Sequence, residues 1–320
     1  MGKKVAVVLF NQGEPDCLDA VKPYIFNKFY DPALLTVANP LRWMMAKSIA
    51  RQSAPKARNI FREIGDKSPL MNDIQKKKAK LEAYLSELSN DEFKCFSFMR
   101  YWKPFTKDIL DEVKEFLPDE MILVPLYPQY SITTTGSALI EWNKQVKKKK
   151  IEISFRVIKD YPENDFFIDS IVGLINEKLK LLKSSDYRLL LSAHGIPKKT
   201  IESGDPFQSQ VEKTSEAIDK KLNNSELDIV TCYQRQIGPL EQQGPLTEDE
   251  IERAALENKN IIIVPISFIS ECSETLVELD INYKEVAEKA GIKDYIRIKT
   301  VQDNDQFILG LANLIMENRV

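Results

Sequence analysis

Histidine is almost absent: the 320 residues contain one, His194. Chemistry that needs a neutral-pH base or an imidazole ligand therefore has a single candidate. Cysteine is scarce too. Cys17, Cys95, Cys232 and Cys272 stand no closer than 40 positions to one another. That excludes the short-spaced zinc motifs and offers no iron–sulfur pattern. Few, scattered cysteines suit a reducing compartment. No window holds the 18 or more apolar residues of a membrane span. The glycines form neither a G-x-G-x-x-G nor a P-loop, so nucleotide binding has no specific support. An excess of one charge is missing as well: 45 Lys and Arg stand against 48 Asp and Glu. No global field draws in nucleic acid, and none is expected as a partner.

What is present is an ordinary globular chain, long enough for about two domains. Apolar runs of strand length fall at 4–10, 93–99, 120–126, 151–158, 187–193, 227–233, 260–267 and 294–299. Most are rich in Ile, Val, Leu and Phe, as strands buried on both faces should be. Amphipathic stretches lie between them. Residues 105–117 place Phe105, Ile109, Leu110, Val113 and Phe116 on one face; 164–182, 206–222 and the tail 304–317 are spaced alike. Alternating strand and helix predicts α/β architecture with parallel sheets. Eight strands could form one sheet, a barrel or two four-stranded sheets. The uneven spacing, with a first crossover of about 80 residues, favours two doubly wound (Rossmann-like) domains, 1–160 and 161–320, each a four-stranded parallel sheet flanked by helices. The last helix is expected to pack back on the first domain. No short-period repeat is visible. Lys76-Lys77-Lys78 and Lys147–Lys150 read as solvated helix surface or turn.

In such sheets ligands gather beyond the carboxyl ends of the strands. There the sequence places Asn11-Gln12-Gly13-Glu14-Pro15, Arg100-Tyr101-Trp102, Tyr127-Pro128-Gln129-Tyr130-Ser131, Ser192-Ala193-His194-Gly195-Ile196-Pro197, Tyr233-Gln234-Arg235 and Ser270-Glu271-Cys272-Ser273-Glu274. The lone histidine is among them, in a Gly/Pro loop. A single His at a strand end more often fills a structural role; its place at this edge tilts the odds towards chemistry. Glu271, Glu274 and Glu278 are spaced to share one helix face. Such clusters are usually solvated, and near a helix start they also answer the dipole. The run 131–137 is an anion-loop candidate or simply a helix cap.

Taken together, these blocks resemble the ferrochelatase family. The resemblance is carried by Ser192–Pro197, Gly204-Asp205-Pro206, Tyr233-Gln234 with Gly238-Pro239, Pro265-Ile266-Ser267-Phe268 and Glu274-Thr275-Leu276-Val277-Glu278-Leu279-Asp280. The first half adds Asn11 with Gly13 and Pro15, Lys67-Ser68-Pro69-Leu70, Arg100-Tyr101-Trp102, and Leu126–Ser131 with Thr133-Thr134-Thr135-Gly136-Ser137. It spans nearly the whole chain. It implies insertion of ferrous iron into protoporphyrin, the last step of haem synthesis, by a lyase-type metal chelatase with the porphyrin in a cleft between two domains. Iron is then a substrate, with no separate cofactor and no iron–sulfur cluster. By the family pattern His194 takes a proton or presents the metal, Glu274 is its carboxylate partner, and Glu278 continues an acidic lane. Arg100, Tyr101, Tyr127 and Ser131 would line the first domain's edge and position the macrocycle. The protein is then expected in the cytoplasm, as monomer or homodimer, with any contact to the inner membrane peripheral.

The departures from the family pattern cluster at the same edge. Gln12 stands where an apolar residue is usual, and Glu14 where Gly is usual. Phe207 replaces a Tyr. Arg235 and Gln236 follow Tyr233-Gln234 in place of Ser and a basic residue, and Gln242-Gln243 replaces Trp-Leu. Cys272 replaces a His, and Asn282 a Glu. Losing one large buried apolar contact costs about 1.5–3 kcal/mol, so Gln12 and Gln242 weaken the grip on a flat apolar ring. Arg235 is positioned to meet a propionate or to clash. Cys272 is a softer ligand than imidazole. The alternative to an active chelatase is a scaffold of the same fold that binds porphyrin or metal without turnover.

Overall fold

The computed structural model describes residues 2–182, 186–235 and 243–319. The expected Gly238-Pro239, Gln236 and Gln242 lie outside them. The elements run β1 (Lys4–Asn11), α1 (Val21–Phe29), α2 (Asn39–Glu63), α3 (Leu70–Leu88), β2 (Glu92–Met99), α4 (Thr106–Phe116), β3 (Glu120–Pro125), α5 (Ser137–Lys149), β4 (Phe155–Val157), α6 (Asp165–Leu179), β5 (Tyr187–Ala193), α7 (Lys198–Glu202), α8 (Phe207–Leu222), β6 (Asp228–Tyr233), α9 (Thr247–Leu256), β7 (Asn260–Pro265), α10 (Tyr283–Lys289), β8 (Tyr295–Arg297) and α11 (Asp305–Glu317). Two segments, Ile132–Gly136 and Glu274–Asn282, are π-helical. All pairings are parallel, in two sheets of order β2-β1-β3-β4 and β6-β5-β7-β8. This is the doubly wound architecture the alternation predicts. The chain divides into two units. One holds the residues up to Asp160 and those from Leu311 onward; the other is Tyr161–Gly310.

Central strands β1, β3, β5 and β7 are sealed on both faces, which is why they read as unbroken apolar runs. The edge strands β4 and β8 pair over only three residues and stay partly exposed, so β4 is shorter than the apolar run 151–158. In the first unit Phe10, Phe98 and Trp142 stack in series, with centroids 5.5 and 5.4 Å apart. Helix α4 buries Ile109, Leu110, Val113 and Phe116 against them, and ends where Leu117 turns left-handed, at φ 54°. Lys147, Lys148 and Lys149 sit in the last turn of α5, where cations suit the helix dipole. Lys77 departs from the solvated reading. Its position on α3 faces inward, it is fully buried, and Asp73 one turn earlier neutralises it. Arg319 ties the C-terminal end to the first unit through Glu120 (2.8 Å) and Asp91 (2.6 Å).

The two units are built to one plan, and equivalent bonds recur in both. Leu126 N–H donates to Phe10 O as Ile266 N–H does to Ser192 O; Arg100 to Asn11 as Gln234 to Ala193; Met99 to Pro104 as Tyr233 to Pro245; Ile158 to Leu123 as Ile298 to Ile263. Within the second unit Asn164 and Asn304 each cap the following helix, accepting from Phe167 N–H (3.1 Å) and Phe307 N–H (3.2 Å). From Leu123 and Ile263 onward the offset is a constant 140 positions, as Ile158-Lys159 and Ile298-Lys299 show.

Below the second sheet, Arg188, almost wholly buried, donates to Asp228 (2.7 Å) and Glu257 (2.6 Å), while Lys259 also reaches Asp228 (2.5 Å). Burial works against the Asp228 carboxylate, but the bonds from Lys259 and Arg188 outweigh it and hold its pKa below the ordinary value. The unfolded chain therefore binds this proton more readily. The stabilisation is present above the unfolded pKa, about 3.9, and is lost as pH falls through the folded one. In thermal melts against pH, the difference between wild type and Asp228→Asn should be flat from about pH 7 to 5 and shrink below about pH 4.

Candidate active site

His194 closes β5 at its carboxyl end. Its backbone N–H donates to Ser267 Oγ at 2.7 Å, beyond the end of β7. Its ring meets the edge of Phe268, with centroids 6.1 Å apart at 84°. Its Nδ1 stands 2.6 Å from Glu274 Oε2. An ionised carboxylate only accepts, so with Glu274 ionised the bond runs from Nδ1–H, and in the neutral ring Nε2 is then the acceptor nitrogen. His194 is 18% exposed and Glu274 31%: the pair is held by the protein and reachable from outside. Among the described residues no group of three or more His, Cys, Asp or Glu forms a metal cage. An imidazole and a carboxylate joined in this way can exchange a proton and offer a lone pair.

Glu274 opens the π-helical segment, and Glu278 lies within it, half-buried. The three glutamates do not share one α-helical face. Glu271 precedes the segment and turns inward, accepting from Arg297 (2.7 Å), Thr300 N–H (3.0 Å) and Thr275 Oγ1 (2.6 Å). Cys272 is buried, its N–H donating to Thr275 Oγ1 at 3.0 Å. Arg235 is exposed and donates to Glu248 at 2.7 Å. Gln243 is buried, and so is Phe207.

The first unit's candidates separate into two groups. Gln12 and Tyr127 meet at the sheet edge: Gln12 N–H donates to Tyr127 Oη at 2.5 Å, and both are half-buried. Gly13 follows with φ 79°, where a Cβ would come within 2.6 Å of Met99 Cβ, so only glycine fits this turn. Arg100, Tyr101 and Ser131, expected along an open edge, are turned inward instead. Arg100 bonds Asp31 (2.9 Å) and Ser137 (2.8 Å). Tyr101 has no exposed surface and donates its hydroxyl to Asp31 at 2.8 Å. Burial, with the neighbouring Asp31 charge, pushes that phenol's pKa well up. Ser131 is fully buried and caps the first π-helical turn, accepting from Thr133 N–H at 3.2 Å. Asp31, which also takes a bond from Ser137, is the hub of this group. An Asp before Pro32 after an apolar helix reads only as a turn, which is why it escapes notice in the sequence.

The common plan of the units aligns the two edges. Gln12 follows Phe10 as His194 follows Ser192, and the residues that anchor them, Tyr127 and Ser267, are 140 apart. By the same offset Thr134 stands where Glu274 does. Among the described residues the His–Glu pair is found in the second unit.

Solved structures place the fold among the chelatases. The chain superposes on SirB from Bacillus subtilis with Fe3+ at a TM-score of 0.59, covering 99% of this chain and 95% of that one at 10% identity. It also superposes on DR2241 from Deinococcus radiodurans, described as structurally similar to chelatases, at 0.56 and 11% identity, covering 100% of this chain and 56% of that one. Sequence narrows the class. A model of the ferrochelatase family matches residues 4–319. The ferrochelatase of Rickettsia felis is 45% identical over 99% of this chain and 91% of its own length. That of Wolbachia sp. subsp. Drosophila simulans is 44% identical over 97% and 98%. The chain belongs to the ferrochelatase family.

Proposed function

We propose that the protein is a lyase that inserts ferrous iron into protoporphyrin IX, giving protohaem and two protons. The observation that carries this reading is the His194–Glu274 pair at the carboxyl edge of the second sheet, in a chain of this family. A free-base porphyrin must lose two pyrrole N–H protons as a divalent metal enters. His194 Nε2 accepts a proton, and Glu274, already bonded to Nδ1, stabilises the imidazolium that forms. The same nitrogen, deprotonated again, presents a lone pair to the metal. Glu278, farther along the π-helix, offers a second carboxylate for incoming iron or departing protons. Iron is the substrate, and no further cofactor or iron–sulfur cluster is invoked. An anaerobic assay with ferrous iron and protoporphyrin, followed by the porphyrin spectrum, tests this. Folded protein that metallates neither protoporphyrin nor coproporphyrin, with iron or zinc, would overturn it.

We also propose that the protein works in the cytoplasm and meets a membrane surface through the start of α2. Among the described residues no helix is long and apolar enough to cross a membrane. At this place Leu41, Trp43 and Met44 are 51, 45 and 62% exposed. Trp43 and Met44 flank a hollow of about 410 Å³ also lined by Tyr30, Asn39 and Pro40. The helix carries Arg42, Lys47, Arg51, Lys56, Arg58 and Arg62 against Glu63 alone. Apolar tips with a basic body suit an anionic lipid surface. Flotation with phosphatidylglycerol vesicles should show binding that weakens with salt. Since each buried large side chain is worth about 1.5–3 kcal/mol, changing all three to Ser should weaken it by roughly a hundred-fold or more. Unchanged flotation of that variant removes the proposal.

A further inference from the structure

The π-helical segment Glu274–Asn282 has to be held in place. Runs of i→i+5 bonding are rare, and single turns are usual; this one is nine residues long. Arg297, at the end of edge strand β8, supplies the hold. Its Nη1 donates to Glu271 Oε1 at 2.7 Å, three residues before Glu274. Its Nε and Nη2 grip both oxygens of Asp280, at 2.7 and 2.5 Å, two residues beyond Glu278. One guanidinium therefore spans the stretch that carries both acids. The fork is almost buried, with 9% of the side chain exposed, and a planar five-donor group can satisfy two carboxylates where an ammonium cannot. Arg297 is also paired in register with Ile263 of β7, the strand that leads to Ser267 and so to the backbone of His194.

We infer that Arg297 is a positioning residue for the reaction: by clamping Glu271 and Asp280 it sets the approach of Glu274 to His194. This rests on the metalation reading, and one arm of its test does not. Because His194 is the only histidine, tag-free protein labelled with nitrogen-15 gives one set of ring signals, and the Nδ1 signal reports the bond to Glu274. Arg297→Gln should move that signal towards its position in Glu274→Gln. Asp280→Asn, at a side chain 35% exposed, tests the same clamp with less risk to folding. In turnover, a misplacement on the ångström scale should lower kcat roughly ten- to hundred-fold. The porphyrin KM should stay within about two-fold, and Arg297→Gln added to Glu274→Gln should cost less than about two-fold more. Arg297→Lys should recover only part of the loss. An unmoved ring signal in folded Asp280→Asn or Arg297→Lys protein overturns the inference, as do losses that multiply in the double variant. Wild-type protein without metalation overturns the functional reading, while the ring signal still decides the role of Arg297.

Discussion

Alanine in place of His194 should abolish metalation, with kcat falling by roughly 10²–10⁴-fold, the range for loss of a positioned acid–base group. The chain holds no second imidazole to substitute for it. The ring is half-buried in its setting, with 18% of the side chain open, and bonds Glu274 and meets the edge of Phe268. Its anchoring to Ser267 runs through the backbone, which alanine retains. Stability should therefore change little while activity disappears. Glu274→Gln is the informative companion. An amide can present its oxygen or its nitrogen to Nδ1, so control of the tautomer is lost while the shape is kept. The two losses should be strongly non-additive, because both residues serve one proton transfer. Steady-state rates for the singles and the double measure this; a His194→Ala protein within a few-fold of wild type would falsify the role assigned to the ring.

The second large effect is on stability. Asp31→Ala should destabilise the protein by about 3–5 kcal/mol, the cost of breaking a buried ion pair from one side. The Asp31 side chain is 2% exposed and answers the side-chain donors of Arg100, Tyr101 and Ser137 as well as Ala33 N–H. Removing it strands a guanidinium at 15% exposure and a fully buried phenol. Tyr101→Phe removes one neutral donor and should cost only about 1 kcal/mol. Urea unfolding of the pair of variants checks the ordering. Equal losses would mean that the carboxylate is not the hub.

Long apolar runs made the strands legible. All eight appear where Ile, Val, Leu and Phe cluster, because a sealed strand cannot hide its composition. His194 and Glu274 were legible as candidates because one is unique and both sit in blocks typical of the family. Their 2.6 Å contact was not, since it joins residues 80 apart in sequence through the π-helix. A π-helix has no spacing signature that separates it from an α-helix over nine residues, so the spacing of the three glutamates predicts one shared face that the structure does not have. Arg100, Tyr101 and Ser131 show the converse failure. Their residue types suit a binding edge, but a buried carboxylate from a distant turn draws two of them inward, and the third is consumed by capping. Lys77 looked solvated because charge runs usually are; its partner Asp73 gave the only hint.

The shared plan of the two units also makes the chain its own pairwise alignment. What both copies keep includes the valine and proline that close the third strand, Val124-Pro125 and Val264-Pro265, and the isoleucine and lysine leading out of the third crossover. These residues record what any copy needs in order to stand. Gln12 against His194 and Thr134 against Glu274 are the reverse, equivalent positions that carry different side chains on the same scaffold. Divergence between halves that share a frame marks the positions whose side chains the fold itself does not require, and His194 and Glu274 stand among them.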